Sequence, residues 1–176
     1  VLHVLKLETS QDTEIPNGVQ GVFSDDSRWL AYYVDLPYAD AKKLRDGSKP
    51  VPRKAQLLNL QTGAKQTWED IASFSFAQGS GHLLLRRRAP DPKAKHKGVD
   101  VILHNLKSGY DQLLASVGEA SFNRKGELLA YSVDALEKDA NGLFVLDLRN
   151  NQTQPLDDDT KSYSKLTWNE EGTALA

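Results

Sequence analysis

Residues able to do covalent chemistry occur along this chain, but none of them forms a recognisable catalytic pattern. Serine is plentiful, yet the sequence contains no Gly-x-Ser-x-Gly nucleophile motif and no glycine-rich phosphate-binding motif. Cysteine is absent, which excludes disulfides, thiolate catalysis and cysteine-based zinc sites. We therefore predict no catalytic residue, no metal site and no cofactor.

The histidines are the remaining candidates for acid–base or metal chemistry. The four are scattered along the chain, and none has a ligand partner at the sequence spacing of a metal site: His3, His82, His96 and His104. His82 and His104 stand where equivalent segments carry Trp or Leu. The sequence therefore predicts structural roles for those two.

Basic side chains are concentrated in residues 37–54 and residues 86–97, and each segment holds six Lys or Arg. Such clusters attract acidic peptides, phosphates or acidic protein surfaces. Tyr38 is their single aromatic residue, so base stacking is poorly supported and no nucleic-acid partner is expected. The alternative is that both segments are solvated connectors. The residues expected to bind a peptide or protein partner are Lys42, Lys43, Arg86, Arg87 and Lys95.

The elements that must position these side chains follow from a repeated segment. Residues 23–32 read Phe-Ser-Asp-Asp-Ser-Arg-Trp-Leu-Ala-Tyr, and counterparts begin at Phe76, Phe122 and Trp168. The four anchors are 53, 46 and 46 residues apart. In a chain of short strands, a repeat of this length predicts the blades of a β-propeller.

Each repeat has the pattern of four antiparallel strands in a meander. The aromatic anchor ends the first strand, a polar turn follows, and an apolar segment such as residues 29–34 forms the second strand. A Leu-rich pair of strands closed by turn residues completes the repeat. No segment keeps a helical period, so almost no helix is expected. The predicted fold class is all-β, a β-propeller of four-stranded meander blades.

The repeats predict about three and a half blades. Residues 1–18 would end one blade, residues 19–70, 71–116 and 117–159 would form three complete blades, and residues 160–176 would begin another. The terminal halves could instead join and close a ring of four blades. A partial propeller is the expectation, because the last copy of the repeat stops inside a core strand.

Both basic segments connect the second strand of a blade to the third. In a four-stranded meander these connections leave the same face of every blade, so the sequence predicts one basic face. Elsewhere the charge is balanced: the net charge is −2, which gives no general attraction to nucleic acid or to anionic membranes. No apolar run approaches the ~20 residues that span a bilayer, so no membrane partner is expected. No targeting segment is apparent, and the compartment stays open.

The repeat resembles the WD40-like repeats of bacterial TolB-type propellers. A longer run is similar to the N-terminal propeller of bacterial prolyl oligopeptidase (S9) family peptidases. It reads Val-Asp-Val-Ile-Leu-His-Asn-Leu-Lys-Ser-Gly at 99–109, Ala-Ser-Phe-Asn-Arg-Lys-Gly-Glu-Leu-Leu-Ala-Tyr-Ser-Val-Asp at 120–134 and Asn-Gly-Leu-Phe-Val-Leu-Asp-Leu at 141–148. In that family a C-terminal α/β-hydrolase domain carries a Ser-Asp-His triad, and the propeller restricts substrate access. No triad residue can be placed on this sequence.

The resemblance implies a non-catalytic propeller segment that gates substrate access to a prolyl oligopeptidase-type serine peptidase. Its implied partners are the rest of the propeller and a C-terminal catalytic domain outside this chain. One alternative is a TolB-like propeller that binds or scaffolds proteins. A second is an enzyme built on a propeller face, such as a lyase or glycosidase, which needs ionisable side chains around the central channel. Glu119 is the only one on the innermost strands of the three expected complete blades, which disfavours that alternative.

Overall fold

The computed structural model describes residues 1–89 and 93–176. The described part is built almost entirely from strands, with one α-helix, α1 (Tyr38–Asp46), and two short 3-10 turns, Gln78–Ser80 and Lys138–Ala140. The strands are β1 Leu2–Lys6, β2 Gln11–Ile15, β3 Gly18–Phe23, β4 Trp29–Val34, β5 Lys54–Asn59, β6 Lys65–Trp68, β7 Ile71–Phe76, β8 His82–Arg87, β9 Val99–Asn105, β10 Asp111–Phe122, β11 Leu128–Val133, β12 Gly142–Asp147 and β13 Gln152–Asp157.

The strands form three antiparallel sheets, and none of the sheets is closed. Strands β1 and β2 form a hairpin, β3 to β6 form a four-stranded sheet in chain order, and β7 to β13 form a seven-stranded sheet, again in chain order. The seven-stranded sheet contains two four-stranded meanders, β7–β10 and β10–β13, which share β10. This is the all-β partial propeller that the repeats predict. The blade limits stay a prediction, and the one expected between residues 116 and 117 falls inside β10.

The chain divides into two compact units, Val1–Ala72 and Ser73–Ala176, and the division falls within β7. In the first unit one buried apolar cluster consists of Ile15, Leu30, Tyr32 and Leu58, with Leu2 and Val4 packed against it. The hydroxyl of Tyr32 donates to the Gln56 side chain at 2.8 Å, so this buried polar group is satisfied.

The core of the second unit joins β8 to β12. It contains Val101, Val117, Leu129 and Leu146, all fully buried, and Tyr131, whose ring stacks on Phe144 at a centroid distance of 5.4 Å. Consecutive residues of β8, β9 and β11 are buried, for example Leu83, Leu84 and Leu85 of β8, so both faces of these strands are packed rather than one.

One segment differs from the sequence-based expectation. Almost no helix is present among the described residues, as expected, but residues 38–46, expected to be part of a connection between strands, form α1. Ala, Lys, Leu and Arg are good helix formers, and Pro37 suits the position ahead of the first turn. Among the described residues no helix is long and apolar enough to cross a membrane. Residues 160–176 contain an antiparallel bridge between Trp168 and Leu175, flanked by backbone hydrogen bonds between Thr167 and Ala176 and from Asn169 to Ala174, and that they begin a blade stays a prediction.

Candidate functional site

Arg86, the last residue but one of β8, is turned into the second unit. Its Nη2 donates to the backbone carbonyls of Val117 at 3.0 Å and Gly118 at 2.8 Å, and more weakly to that of Lys97 at 3.4 Å. Burial lowers the pKa of Arg86, and the nearby Glu119 carboxylate partly offsets this effect. Its guanidinium is therefore held by backbone acceptors rather than presented to a ligand.

A buried carboxylate holds the far end of the same basic segment. Asp134 is only 6% exposed. It accepts hydrogen bonds from the backbone N–H of Lys97 at 2.7 Å, from Lys138 Nζ at 2.5 Å and from the Ser162 hydroxyl at 3.3 Å. Burial raises the pKa of Asp134, but the bonds from Lys138 and Lys97 lower it by more, so the net pKa lies below its ordinary value. This carboxylate ties three separate chain segments together.

Gly98 lies between these two anchors, and the packing around it leaves no room for a side chain. A Cβ at this position would overlap the backbone carbonyls of Asp134 and Ser116. The Gly98 N–H donates to the Asp134 carbonyl at 3.1 Å. The residue that follows the second basic segment is therefore packed tightly against the backbone of two other segments.

The other basic residues singled out from the sequence lie on the surface. Lys42 and Lys43 are exposed on α1 in the first unit, where Lys43 is 3.9 Å from Asp40 with its side chain 81% exposed. Arg87 and Lys95 are exposed in the second unit. Residues 90–92, in the middle of the second segment, lie outside the described residues. A common basic face for the two segments stays a prediction.

His82 and His104, which the sequence places in strands, lie in β8 and β9, and His82 lines a small cavity in the second unit. The cavity has a volume of about 250 Å³ and is lined by His82, Leu103, Asn105, Ser108, Tyr110, Gln112, Leu148 and Asn151. His104 is buried, with its Nδ1 2.6 Å from Asp111 Oδ1, and His82 Nε2 is 3.1 Å from Asn105 Nδ2. Burial and the proximity of His104 lower the pKa of His82, which favours its neutral form. Both rings sit within hydrogen-bonded packing, in keeping with structural roles.

A group of potential metal ligands lies on the first hairpin, where the sequence spacing indicated none. His3, Asp12 and Glu14 place one ligand atom each within 4.8 Å of one another. His3 Nδ1 is 2.8 Å from Asp12 Oδ2. Sequence spacing missed the group because its members are brought together by pairing of β1 with β2. The turn expected between residues 7 and 11 was the sequence signal that could have found the group, because a hairpin places residues on both sides of its turn opposite each other.

The chain was compared with known proteins. No protein-family model matches it, and no curated protein matches it. Several solved structures match this chain. The β-propeller domain of the trilobed protease from Pyrococcus furiosus, described as having an open velcro topology, matches with a TM-score of 0.52 and 10% identity over 86% of this chain. An oligogalacturonate lyase in complex with manganese matches with a TM-score of 0.55 and 14% identity over 98% of this chain. The acylaminoacyl peptidase of Pyrococcus horikoshii matches with a TM-score of 0.50 and 12% identity over 92% of this chain.

This chain is much shorter than the proteins it resembles. The alignments cover 45% of the trilobed protease propeller chain, 51% of the lyase chain and 27% of the acylaminoacyl peptidase chain. At 10–14% identity these matches show a shared propeller fold. Fold alone does not fix function, because unrelated activities occur on the same propeller architecture.

Proposed function

We propose that this chain is a non-catalytic propeller segment of a serine peptidase of the prolyl oligopeptidase type, and that it restricts the substrates that reach a separate catalytic domain. The observation that carries the proposal is the fold match to propeller-bearing peptidases, in which this chain aligns to 27–45% of the matched chain. The absence of a nucleophile motif from the sequence supports a role without catalysis.

Hydrogen bonding in the second unit suits a rigid barrier to substrate entry, here called the wall. Arg86 of β8 donates to two carbonyls of β10, and Asp134 accepts from the Lys97 N–H at the end of the connection between β8 and β9. Both are charge-assisted hydrogen bonds, which are stronger than neutral ones. A wall that filters by size must keep its shape when large polypeptides collide with it. The exposed cations Lys42, Lys43, Arg87 and Lys95 would add a preference for acidic peptides.

The first experiment separates the segment from its proposed catalytic partner. The purified chain should not hydrolyse a chromogenic prolyl or alanyl peptide. The complete protein encoded by the same gene should hydrolyse it. Turnover by the purified chain, abolished by mutating one of its own residues, would overturn the non-catalytic assignment.

The second experiment tests gating in the complete protein. Short peptides should be cleaved, while the same cleavage sequence placed in a folded carrier protein should resist cleavage, because only a restricted opening discriminates by size. Equal cleavage of both substrates would contradict gating. A complete protein with no peptidase activity would favour the TolB-like binding propeller.

A further inference from the structure

The β1–β2 hairpin presents three metal-binding groups on one of its faces. In the antiparallel register His3 lies directly opposite Glu14, and Asp12 lies opposite Leu5, two residues along the same face from His3. Residues paired across strands, and residues two apart within a strand, share a face of the sheet. The imidazole of His3 and the carboxylates of Asp12 and Glu14 therefore project together.

The other face of the hairpin is fixed by the core. Ile15 is buried, and Leu2 and Val4 pack against the same cluster. Gly18 packs closely under them, since a Cβ there would come within 2.9 Å of both Ile15 and Leu2 side chains. Register slippage would move these apolar side chains to the solvent face, so burial fixes the arrangement of the three polar groups.

One imidazole nitrogen and two carboxylate oxygens form a ligand set that suits zinc. Zinc binds nitrogen and carboxylate ligands at about 2.0–2.2 Å, which places neighbouring ligand atoms of a tetrahedron about 3.4 Å apart. The three ligand atoms of the hairpin already lie within 4.8 Å of one another. With the His3 and Asp12 side chains 51% and 44% exposed, small rotations can bring the ligand atoms to that separation.

We propose that His3, Asp12 and Glu14 bind a divalent zinc ion, with water in the fourth position. The site is independent of the proposed gating function. It cross-links β1 to β2. A two-stranded hairpin is marginally stable by itself, so the ion would stabilise the smallest of the three sheets.

Isothermal titration of the untagged chain with a zinc salt in a non-chelating buffer tests the proposal. We expect a single ion per chain. Each of His3→Gln, Asp12→Asn and Glu14→Gln should weaken binding by about tenfold or more, because each removes one of three protein ligands. Two matched controls should leave affinity unchanged: Glu8→Gln removes an exposed carboxylate of the same hairpin, and His96→Gln removes a histidine of the second unit.

Hydrogen exchange gives a readout independent of the titration. Saturating zinc should slow exchange of the β1 and β2 amides in the wild type but not in His3→Gln, while circular dichroism shows that the variants remain folded. Absence of saturable binding, equal losses in the Glu8 and His96 controls, or unchanged binding in His3→Gln and Glu14→Gln would each overturn the site.

Discussion

The two basic segments carry the same number of cations, but the cations of α1 in the first segment and Arg86 in the second lie in opposite environments. The cations of α1 are exposed, and Lys43 makes a long contact with Asp40. In the segment that begins at Arg86, the first cation is bound to the carbonyls of β10 and the end is held by Asp134. Charge counted along the sequence therefore does not distinguish a surface that attracts ligands from a polar anchor inside the fold.

The difference follows from where each segment packs. Helix α1 satisfies its own backbone groups and buries little beyond Ala41, so its cations are left to solvent. Residues 88–89 and 93–98, the described residues between β8 and β9, form no helix or strand, and the Lys97 and Gly98 N–H groups donate to Asp134 instead.

Glycine substitutions should separate the two segments most clearly. Gly98→Ala places a Cβ against the carbonyls of Asp134 and Ser116, and backbone must move to accommodate it. We expect a loss of about 3 kcal/mol in the free energy of unfolding. The matched control is Gly47→Ala after α1, where a Cβ meets its nearest neighbour, Lys43 O, at 3.4 Å and φ is −84°. It should be neutral or slightly stabilising in urea denaturation. Similar losses in both variants would remove the contrast.

Loss of the inward-facing guanidinium should be the next largest effect. Arg86→Met keeps a long side chain but leaves the carbonyls of Val117 and Gly118 without this donor. Removing charged hydrogen bonds of this kind costs roughly 2 kcal/mol. Lys42→Ser on the surface of α1 should change stability by less than about 0.5 kcal/mol. Chemical denaturation measures both, and a neutral Arg86→Met would show that the guanidinium contributes no stability.

The Asp134 carboxylate predicts an acid-side loss of stability. Its folded pKa lies below the ordinary value of 3.8, so the unfolded chain takes up the proton first as the pH falls. The stabilisation is complete well above pH 3.8 and is lost as the pH falls from that value through the lower folded pKa. Asp134→Asn should therefore cost about 1–2 kcal/mol at neutral pH and progressively less below about pH 4.

The surface counterpart provides the control for this pH dependence. Asp40→Asn removes the 3.9 Å contact with Lys43 and should cost less than about 1 kcal/mol at neutral pH. Urea denaturation between acidic and neutral pH distinguishes the two carboxylates. A pH-independent difference between wild type and Asp134→Asn would show that charge on Asp134 contributes nothing.

Ligand steering should be the smallest effect. In the proposed peptidase, replacing Lys42, Lys43, Arg87 and Lys95 with Ser should lower kcat/KM for acidic peptides more than for neutral ones. The difference should shrink at high salt, because exposed charges are screened over about 8–10 Å at physiological ionic strength. Equal losses on both peptides would identify the segments as solvated connectors. Arg86 is omitted from this set because its substitution would also disturb stability.

Much of the sheet structure was accessible from the sequence. Residues 29–34 were expected as the second strand of a blade and form β4 with those limits. This apolar run lies between turn residues, which is a local signal that the sequence shows directly. Helix α1 was missed because nine mostly polar residues carry too little apolar periodicity to indicate a helix.

The site residues were harder to predict, because their roles depend on partners distant in sequence. Arg86 meets carbonyls 31 and 32 residues away, and Asp134 meets the Lys97 N–H at a separation of 37 residues. The sequence shows that Arg86 is charged but not which carbonyls surround it. Likewise, the ligand group of His3 depends on the exact register of β1 against β2.

Strand β10 has a consequence for how the second unit unfolds. Its first half pairs with β9, its second half pairs with β11, and Val117 is paired with both Val99 and Val133. The two meanders are therefore covalently continuous through β10 and meet at Val117, which also lies in their common core cluster. Repeat proteins commonly unfold one repeat at a time when their interfaces are weak. Here the continuous strand and the common core couple two repeats into one cooperative unit, so residues 73–157 should lose structure in a single step.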